Sequence, residues 1–303
     1  MITMAKFKED WEAKNAKKNV ARAGGVSLMA LSLVACGGGS APAPVVVVEP
    51  VVEPVTLDLT IFSDTLVGTT GDDTVTGLRI DTVQTFNSGD SISLGDGIDG
   101  LTATLNDGTV TPVAIVGVEN VTLIALGDAT VNFDNVIGVT SIASRGSSAT
   151  LFVDNIQTIP TSISVNNNTA TQTFVIKDIA VTETADSLNL YFDGVGGVVN
   201  VGSEADGDGD IEVLTVVASG GASDLGIGNG FGADAVAISV NATSVLDLGS
   251  TPQFIASTNF DASESTAAVT AVFAAKTTAS ETAVTMKGGS GADKFDIGAF
   301  TTE

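Results

Sequence analysis

Aspartate residues at a near-regular spacing are the side chains of this 303-residue sequence whose chemistry is easiest to define. Each is followed by a small residue and then an aliphatic residue, and successive aspartates are 9, 8, 9 and 9 positions apart. This spacing indicates a repeat in which the carboxylates recur at equivalent places. Carboxylate oxygens are hard ligands suited to Ca²⁺. The repeated aspartates are Asp64, Asp73, Asp81, Asp90 and Asp99.

Glycines precede several of these aspartates at positions that suit tight turns. Residues 288–296 read Gly-Gly-Ser-Gly-Ala-Asp-Lys-Phe-Asp, residues 68–76 form a similar nonad, and residues 95–101 form a weaker one. Because glycine adopts backbone angles that residues with a Cβ disfavour, each nonad predicts a tight turn followed by a short strand. The turn carbonyls add oxygen ligands for calcium. Besides the five aspartates, the candidate calcium ligands and turn positions are Gly68, Gly71, Gly95, Gly97, Gly288, Gly289, Gly291 and Asp293.

The nonad at 288–296 resembles the RTX repeat Gly-Gly-x-Gly-x-Asp-x-U-x, in which U is apolar, at every defined position. The resemblance implies a parallel β-roll whose stacked turns bind Ca²⁺. A cation between stacked carboxylates about 5 Å apart would relieve their repulsion. A degenerate roll without metal, held by aliphatic packing and by hydrogen bonds of Asn, Thr and Asp, is the alternative. Since successive turns of a roll lie on opposite edges, the predicted stacked pairs are Asp64–Asp81, Asp73–Asp90 and Asp81–Asp99.

The composition excludes several classes of catalytic and metal site. With no His and one Cys, the chain cannot form a Ser-His-Asp triad, a His-ligated zinc site, an internal disulfide or a Cys₄ cluster. Its 36 acidic and 12 basic residues, a formal net charge of −24, argue against binding to nucleic acid. From Cys36 onward there is no Trp, one Tyr and only two Arg with which to hold a sugar. We therefore expect no enzymatic activity, and a β-helix polysaccharide-active enzyme is the least favoured alternative.

The first 35 residues have the features of a bacterial export signal. Six of the 12 basic residues lie in 1–22, and the apolar run at 24–35 is too short to span a bilayer. The tetrad Leu-Val-Ala-Cys at 33–36 resembles a lipobox, which implies lipidation of Cys36. Gly37 stands in place of the Asp associated with inner-membrane retention, so the resemblance implies outer-membrane lipid as a partner, at the surface of a Gram-negative bacterium. An ordinary secretory signal and a secreted extracellular protein are the alternative.

Short β segments separated by Gly, Asn, Asp and Ser fill residues 101–287. They are at most eight residues long and alternate between apolar and polar side chains, as in Thr161–Val165. This pattern predicts an all-β chain, and the few prolines and the flanking nonads favour a parallel β-solenoid or β-roll with RTX-like turns. An antiparallel β-sandwich is the alternative. The predicted segments are 121–126, 129–136, 149–156, 161–165, 171–176, 187–192, 198–201, 211–217 and 235–240.

These patterns divide the sequence into five segments. The linker holds four of the seven prolines, and such Pro-rich segments are extended spacers. The last nonad has no adjacent copy, which leaves open that the sequence is part of a longer repeat array. The segments are a lipoprotein-type signal peptide (1–35), a lipid-anchored Gly/Pro-rich linker (36–56), an RTX-like β-roll segment (57–102), an irregular β-solenoid body (103–287) and a C-terminal RTX-like nonad segment (288–303).

Residues 58–300 as a whole resemble the repetitive S-layer and RTX-type surface proteins of Gram-negative bacteria. Besides the nonads, the resemblance is carried by residues 117–123, residues 258–263 and the pair Met286-Lys287. It implies a non-enzymatic, calcium-stabilised structural protein of a cell surface, in an S-layer-like coat, a matrix or adhesion, with self-assembly or surface-matrix partners. A calcium-dependent adhesin that recognises a specific glycan or protein is the alternative.

Overall fold

The computed structural model describes residues 53–177, 186–203, 211–224, 226–227, 236–249, 259–273 and 285–297. These residues form 25 β-strands joined by turns, and none of them is helical. Within the same ranges, no helix long and apolar enough to cross a membrane is present. The chain divides into two compact units, Met1–Glu53 and Pro54–Glu303. The predicted signal segment, Cys36 and most of the linker lie outside the described residues.

The largest sheet, which we call wall A, has 11 strands. Its neighbouring strands come from successive coils of the chain, and each pair of neighbours is parallel. The strands of wall A are β1 (Thr56–Asp58), β3 (Thr74–Gly77), β5 (Gly100–Leu105), β8 (Asn120–Ala125), β11 (Ser141–Arg145), β13 (Ser162–Asn166), β15 (Ser187–Asp193), β17 (Val213–Ala218), β20 (Ala237–Ala242), β22 (Asn259–Asp261) and β24 (Thr285–Lys287).

Three smaller parallel sheets complete the coils. The first contains β2 (Thr65–Val67), β4 (Ser91–Ser93), β7 (Ala114–Val116) and β10 (Val136–Ile137). The second contains β6 (Gly108–Val110), β9 (Ala129–Asn132), β12 (Leu151–Ile156), β14 (Gln172–Ile176), β16 (Val198–Ser203) and β19 (Gly226–Ile227). The third contains β18 (Ser223–Asp224), β21 (Leu246–Asp247), β23 (Val269–Phe273) and β25 (Lys294–Ile297).

This architecture is a parallel β-solenoid, as the sequence predicts. The alternative of an antiparallel sandwich is wrong, because neighbouring strands of every described sheet run in the same direction. Each of the nine segments predicted between residues 101 and 287 contains a strand. Wall A is continuous from β1 to β24 and runs through the predicted boundary at 102/103, since β5 spans it.

The two-residue alternation of the sequence decides which side chains enter the core. In β13, Ile163 and Val165 are fully buried, whereas Ser162 and Ser164 are partly exposed. β-Branched residues suit such strands because they pack well on a pleated surface. Register places Ile163 beside its counterpart in the next coil, Leu190, so inward side chains form continuous stacks along the solenoid. These stacks are the hydrophobic core.

The predicted spacing between stacked aspartates is wrong. Thr56 is paired with Thr74, which gives a first coil of 18 residues, but Thr74 is paired with Gly100, which makes the second coil 26 residues long. The extra length is accommodated at 78–85, a turn with exposed Leu78, Ile80 and Val83. An antiparallel bridge joins Ile80 to Val83 within it. Asp81 lies in this turn, exposed and with a positive φ of 55°, and is therefore not stacked between two other aspartates.

A polar corner lies inside the solenoid where the sequence has three consecutive asparagines. Asn168 is fully buried; its amide nitrogen donates to Ser144 Oγ at 2.8 Å, and its oxygen accepts from the Ser147 N–H at 2.9 Å. Ser144 Oγ also lies 2.7 Å from Gln172 Oε1. Asn167 makes the turn with a positive φ of 53°, a conformation that asparagine tolerates. Every buried polar group of this corner thus has a partner, which is what makes its burial affordable.

Candidate metal centre

Four of the five repeated aspartates immediately precede a strand. Asp64 precedes β2, Asp73 precedes β3, Asp90 precedes β4 and Asp99 precedes β5. Strand register places Asp73 beside Asp99 and Asp64 beside Asp90, each pair 26 residues apart. The nonad segment therefore has two aspartate columns, one on each of two walls, with the partners exchanged relative to the sequence-based prediction.

The first column, which we call the Asp99 column, consists of Asp73, Asp99 and Glu119. Each carboxylate accepts a hydrogen bond from a backbone N–H one coil earlier. Asp73 Oδ1 accepts from Val55 N at 2.8 Å, Asp99 Oδ1 from Asp73 N at 2.6 Å and Glu119 Oε2 from Asp99 N at 2.8 Å. Hydrogen bonds from a backbone N–H to an ionised carboxylate are stronger than neutral ones. The column therefore satisfies the amides at the point where the strands of wall A begin.

The second column, the Asp90 column, contains Asp64 and Asp90. Asp90 is fully buried, and its two oxygens accept from Asp64 N at 2.9 Å and Asn87 N at 2.7 Å. Burial raises the pKa of Asp90, and these two hydrogen bonds oppose that effect. Asp64 uses its carboxylate locally, since its oxygens accept from the backbone N–H of Thr60 at 2.6 Å and from its hydroxyl at 3.0 Å.

Asp99 differs from the other aspartates because one of its oxygens has no partner. The residue is fully buried, and Oδ2 makes no hydrogen bond to any described residue. Burial raises its pKa from 3.8 to about 6; the Asp73 N–H lowers it, and the charges of Glu119, Asp73 and Asp72 raise it again. A buried anionic oxygen without a donor is unfavourable. This position is therefore the one in the nonad segment where a cation or a proton would be most strongly favoured.

Glycines allow the turns of successive coils to approach closely beside Asp99. Gly95 has a φ of +112°, and a Cβ built on it would lie 2.1 Å from the carbonyl oxygen of Thr69. Gly97 has a φ of +131°, and its Cβ would lie 2.6 Å from the carbonyl oxygen of Gly71. Both glycines therefore have the conformation that the nonads predict. The carbonyl oxygens of Thr69 and Gly71 lie against the next turn, where a cation could use them.

The turn at 68–73 is tightened by its own aspartate. The Asp73 carboxylate accepts from the backbone N–H of Thr69 and, at 3.0 Å, from its hydroxyl. A Cβ on Gly68 would lie 2.4 Å from Asp73 Oδ2, so only glycine fits beside that carboxylate. With the cross-coil bond from Val55 N, the Asp73 carboxylate is occupied by protein donors.

The C-terminal nonad folds into the same kind of turn but has no aspartate beside it. Asp293 accepts from Gly289 N at 2.8 Å within its own turn and from Val269 N at 3.0 Å in the previous coil. Cβ atoms on Gly289 and Gly291 would lie 2.0 and 2.3 Å from the carbonyl oxygens of Ser265 and Ala267. A Cβ on Gly288 would lie 2.6 Å from Asp293 Oδ2. Because the position beside Asp293 is Val269, this turn offers one carboxylate where the Asp99 column offers three.

The predicted ligands do not form a ready-made cluster. Among the described residues, no group of three or more His, Cys, Asp or Glu side chains is arranged to hold a metal ion. Asp64, Asp73, Asp90 and Asp293 are engaged as hydrogen-bond acceptors, and Asp81 lies in the exposed turn at 78–85. Of the predicted set, Asp99 alone combines burial with an unpaired oxygen.

Two acidic residues of this site were not predicted from the sequence. Glu119 caps the backbone of Asp99, and Asp72 Oδ1 accepts from Ile98 N at 2.8 Å. Glu119 immediately precedes β8, as each paired aspartate immediately precedes its own strand. An acidic residue directly before a strand is therefore the signal by which it could have been found.

The fold and the two columns define the class of this protein, a parallel β-solenoid whose strand starts are capped by carboxylates from the following coil. No family model matches the sequence, and comparisons with curated proteins and with solved structures found no match.

Proposed function

We propose that this chain is a non-enzymatic structural protein of a bacterial cell surface that is stabilised by calcium. The observation that supports calcium is the unpaired, buried Oδ2 of Asp99 beside Glu119, Asp73 and Asp72. An ionised carboxylate in this setting lacks a donor and is repelled by its neighbours. A divalent cation would relieve both costs, and carboxylate and carbonyl oxygens are the ligands that Ca²⁺ prefers.

The groups that we assign to calcium are Asp99, its acidic neighbours Glu119 and Asp72, and carbonyl oxygens of the stacked turns at 68–72 and 94–98. The carboxylates of Asp64, Asp90 and Asp293 are secondary candidates, because their oxygens already accept hydrogen bonds. Bound calcium would join two coils at the start of wall A, so its effect would be on the stability of the fold.

The structural role is supported by the architecture. Wall A is an uninterrupted row of 11 parallel strands, and solenoids of this kind present extended, regular surfaces. Its outward positions are often small and polar, as Ser162 and Ser164 are in β13. Such a surface is suited to a coat or matrix in which many copies lie side by side.

Calcium is expected to raise the melting temperature of the purified protein. A ligand at 100 times its Kd stabilises a fold by about 2.7 kcal/mol, so millimolar Ca²⁺ should produce a clear upward shift in thermal unfolding followed by circular dichroism. Asp99→Asn should lose most of this shift. Asp81→Asn is the matched control, because Asp81 lies outside both columns, and it should respond as the wild type does. An unchanged melting temperature in Ca²⁺ would remove the calcium role.

Attachment at the outer membrane is proposed from the lipobox-like tetrad that ends at Cys36. Cells that express the chain and are fed radiolabelled palmitate should yield a labelled protein, and Cys36→Ser should abolish the label. Protease added to intact cells should degrade the protein if it faces outward. A labelled protein that protease reaches only after lysis would place it on an inner face and contradict the surface role.

A further inference from the structure

We infer that a second copy of this chain stacks on the C-terminal coil, so that copies join head to tail through strands β24 and β1. This inference rests on the proposed structural role and specifies the joint between copies. At both places a wall A strand has a partner on one side only among the described residues, since β1 pairs with β3 and β24 pairs with β22. An edge strand of this kind presents unpaired backbone groups that can bind another strand.

The two edges have the same pattern of exposure. In β1, Thr56 and Asp58 are exposed and Leu57 is partly buried against the core. In β24, Thr285 and Lys287 are exposed and Met286 is partly buried against the core. Each edge therefore has one incompletely covered apolar residue flanked by two outward residues. Placing β1 of a second copy next to β24 in parallel register puts Leu57 against Met286 and continues the core.

The register that aligns these apolar residues also aligns opposite charges. It pairs Thr56 with Thr285 and Asp58 with Lys287. The chain already uses the same pairing one coil earlier, because register places Asp261 beside Lys287 and their charged groups are 2.6 Å apart. A joint with this register would place Lys287 between two aspartates of neighbouring strands. Opposite charges directly across two strands favour pairing, and like charges oppose it.

Beyond β24 and β1, each of the two coils has a further strand whose inward residue keeps the same spacing. Phe295 follows Met286 by nine residues, and Leu66 follows Leu57 by nine residues. Phe295 and Leu66 are also partly buried against the core. A single translation along the solenoid can therefore align both strands of the incoming coil with both strands of the coil beneath, which an unequal spacing would prevent.

Asp64 lacks the cross-coil hydrogen bond that its equivalents make. Asp73 and Asp293 each accept from a residue of their own turn and from a backbone N–H of the preceding coil, Val55 and Val269 respectively. Asp64 accepts from Thr60 of its own turn in the same way, but within the described residues it receives no donor from a preceding coil. In the proposed joint, the residue in register with Asp64 is Asp293 of the copy beneath, whose backbone N–H would be that donor.

Charge exchange tests this joint. Asp58→Lys and Lys287→Asp each place like charges across the joint, so each variant alone should associate about tenfold more weakly than the wild type in sedimentation velocity. An equimolar mixture of the two, or the double variant, restores opposite charges and should recover association. Recovery in the mixture cannot arise from misfolding. Wild-type protein that is monomeric, or variants that associate as it does, would overturn the inference and indicate that another segment or another protein covers these edges.

Cross-linking supplies a second measurement of the register. In a Cys36→Ser background, Thr56→Cys with Thr285→Cys puts two outward thiols on adjacent strands of the joint, within reach of a disulfide. Mild oxidation should give a ladder of covalent dimers and longer species. Thr56→Cys with Thr122→Cys, in the middle of wall A, should not; equal ladders from both pairs would contradict the register. Repeating both measurements in Ca²⁺ and in chelator separates the two proposals, because a calcium response without association would contradict the joint alone.

Discussion

Gly95→Ala is expected to lower the free energy of unfolding by about 3–5 kcal/mol. Alanine at a φ of +112° costs about 1–2 kcal/mol in backbone strain. Its Cβ would also lie 2.1 Å from the carbonyl oxygen of Thr69, so the two stacked turns must move apart. Overpacking of this kind costs roughly a further 1–3 kcal/mol. Urea unfolding followed by circular dichroism measures the sum.

Gly108 provides the matched control for Gly95. It has a similar φ of +121°, but a Cβ built on it meets no atom within 4 Å. Gly108→Ala should therefore show only the backbone strain, about 1–2 kcal/mol. The difference between the two variants isolates the cost of separating the turns. If the two alanine variants are equally destabilised, the close approach of the turns at 69 and 95 does not contribute to stability.

The solenoid itself could be predicted from alternation and segment length. Strings such as Thr-Ser-Ile-Ser-Val at 161–165 specify a strand with one buried face, and their short, even spacing suits coils. Burial follows this alternation closely, as Ile163 and Val165 illustrate. Strand positions depend on local patterns, and local patterns are what a single sequence displays.

Coil length could not be predicted in the same way. The triplet at Asp81 has the same form as its neighbours, yet it belongs to the exposed turn at 78–85 and not to a wall. Nothing local distinguishes it, because the difference lies in which residues the next coil brings alongside. The pairing of Thr74 with Gly100 is a long-range choice decided by core packing over several coils.

The role of the carboxylates was also only partly visible in the sequence. The aspartates were expected to face one another across a cation, and most of them instead accept backbone N–H groups at the start of strands. Both uses need an acidic residue at a turn, so composition cannot separate them. Glu119 escaped the prediction because it follows Asp99 by 20 residues and breaks the nine-residue spacing.

Asp99 is expected to make the calcium-free protein more stable at pH 5 than at pH 7.5, by at most about 3 kcal/mol. Its pKa is about 6 in the folded state and 3.8 without the fold, so the folded state binds the proton more tightly. The contribution of this group to stability is therefore fully present below pH 4 and is lost as pH rises through 6. Burial raises the pKa of Asp90 too and adds in the same direction.

Asp99→Asn separates this effect from the titration of all other groups. Asparagine keeps the shape and an oxygen that can accept from Asp73 N, but it carries no charge at either pH. The variant should be more stable than the wild type at pH 7.5 in chelator, and it should lose most of the gain between pH 7.5 and pH 5. Asp261 does not interfere: its pKa is lowered by Lys287, so its contribution is lost only below 3.8.

Calcium and protons should compete for Asp99. If Oδ2 is the oxygen that calcium satisfies, Ca²⁺ should stabilise the wild type more at pH 7.5 than at pH 5, because protonation removes the charge that attracts it. The wild type in Ca²⁺ should then lose the gain in stability that lowering the pH otherwise gives. Unfolding curves at both pH values, with Ca²⁺ and with chelator, for wild type, Asp99→Asn and Asp81→Asn, supply all the comparisons. A calcium effect of equal size at both pH values would mean that the ion is held by carboxylates other than Asp99.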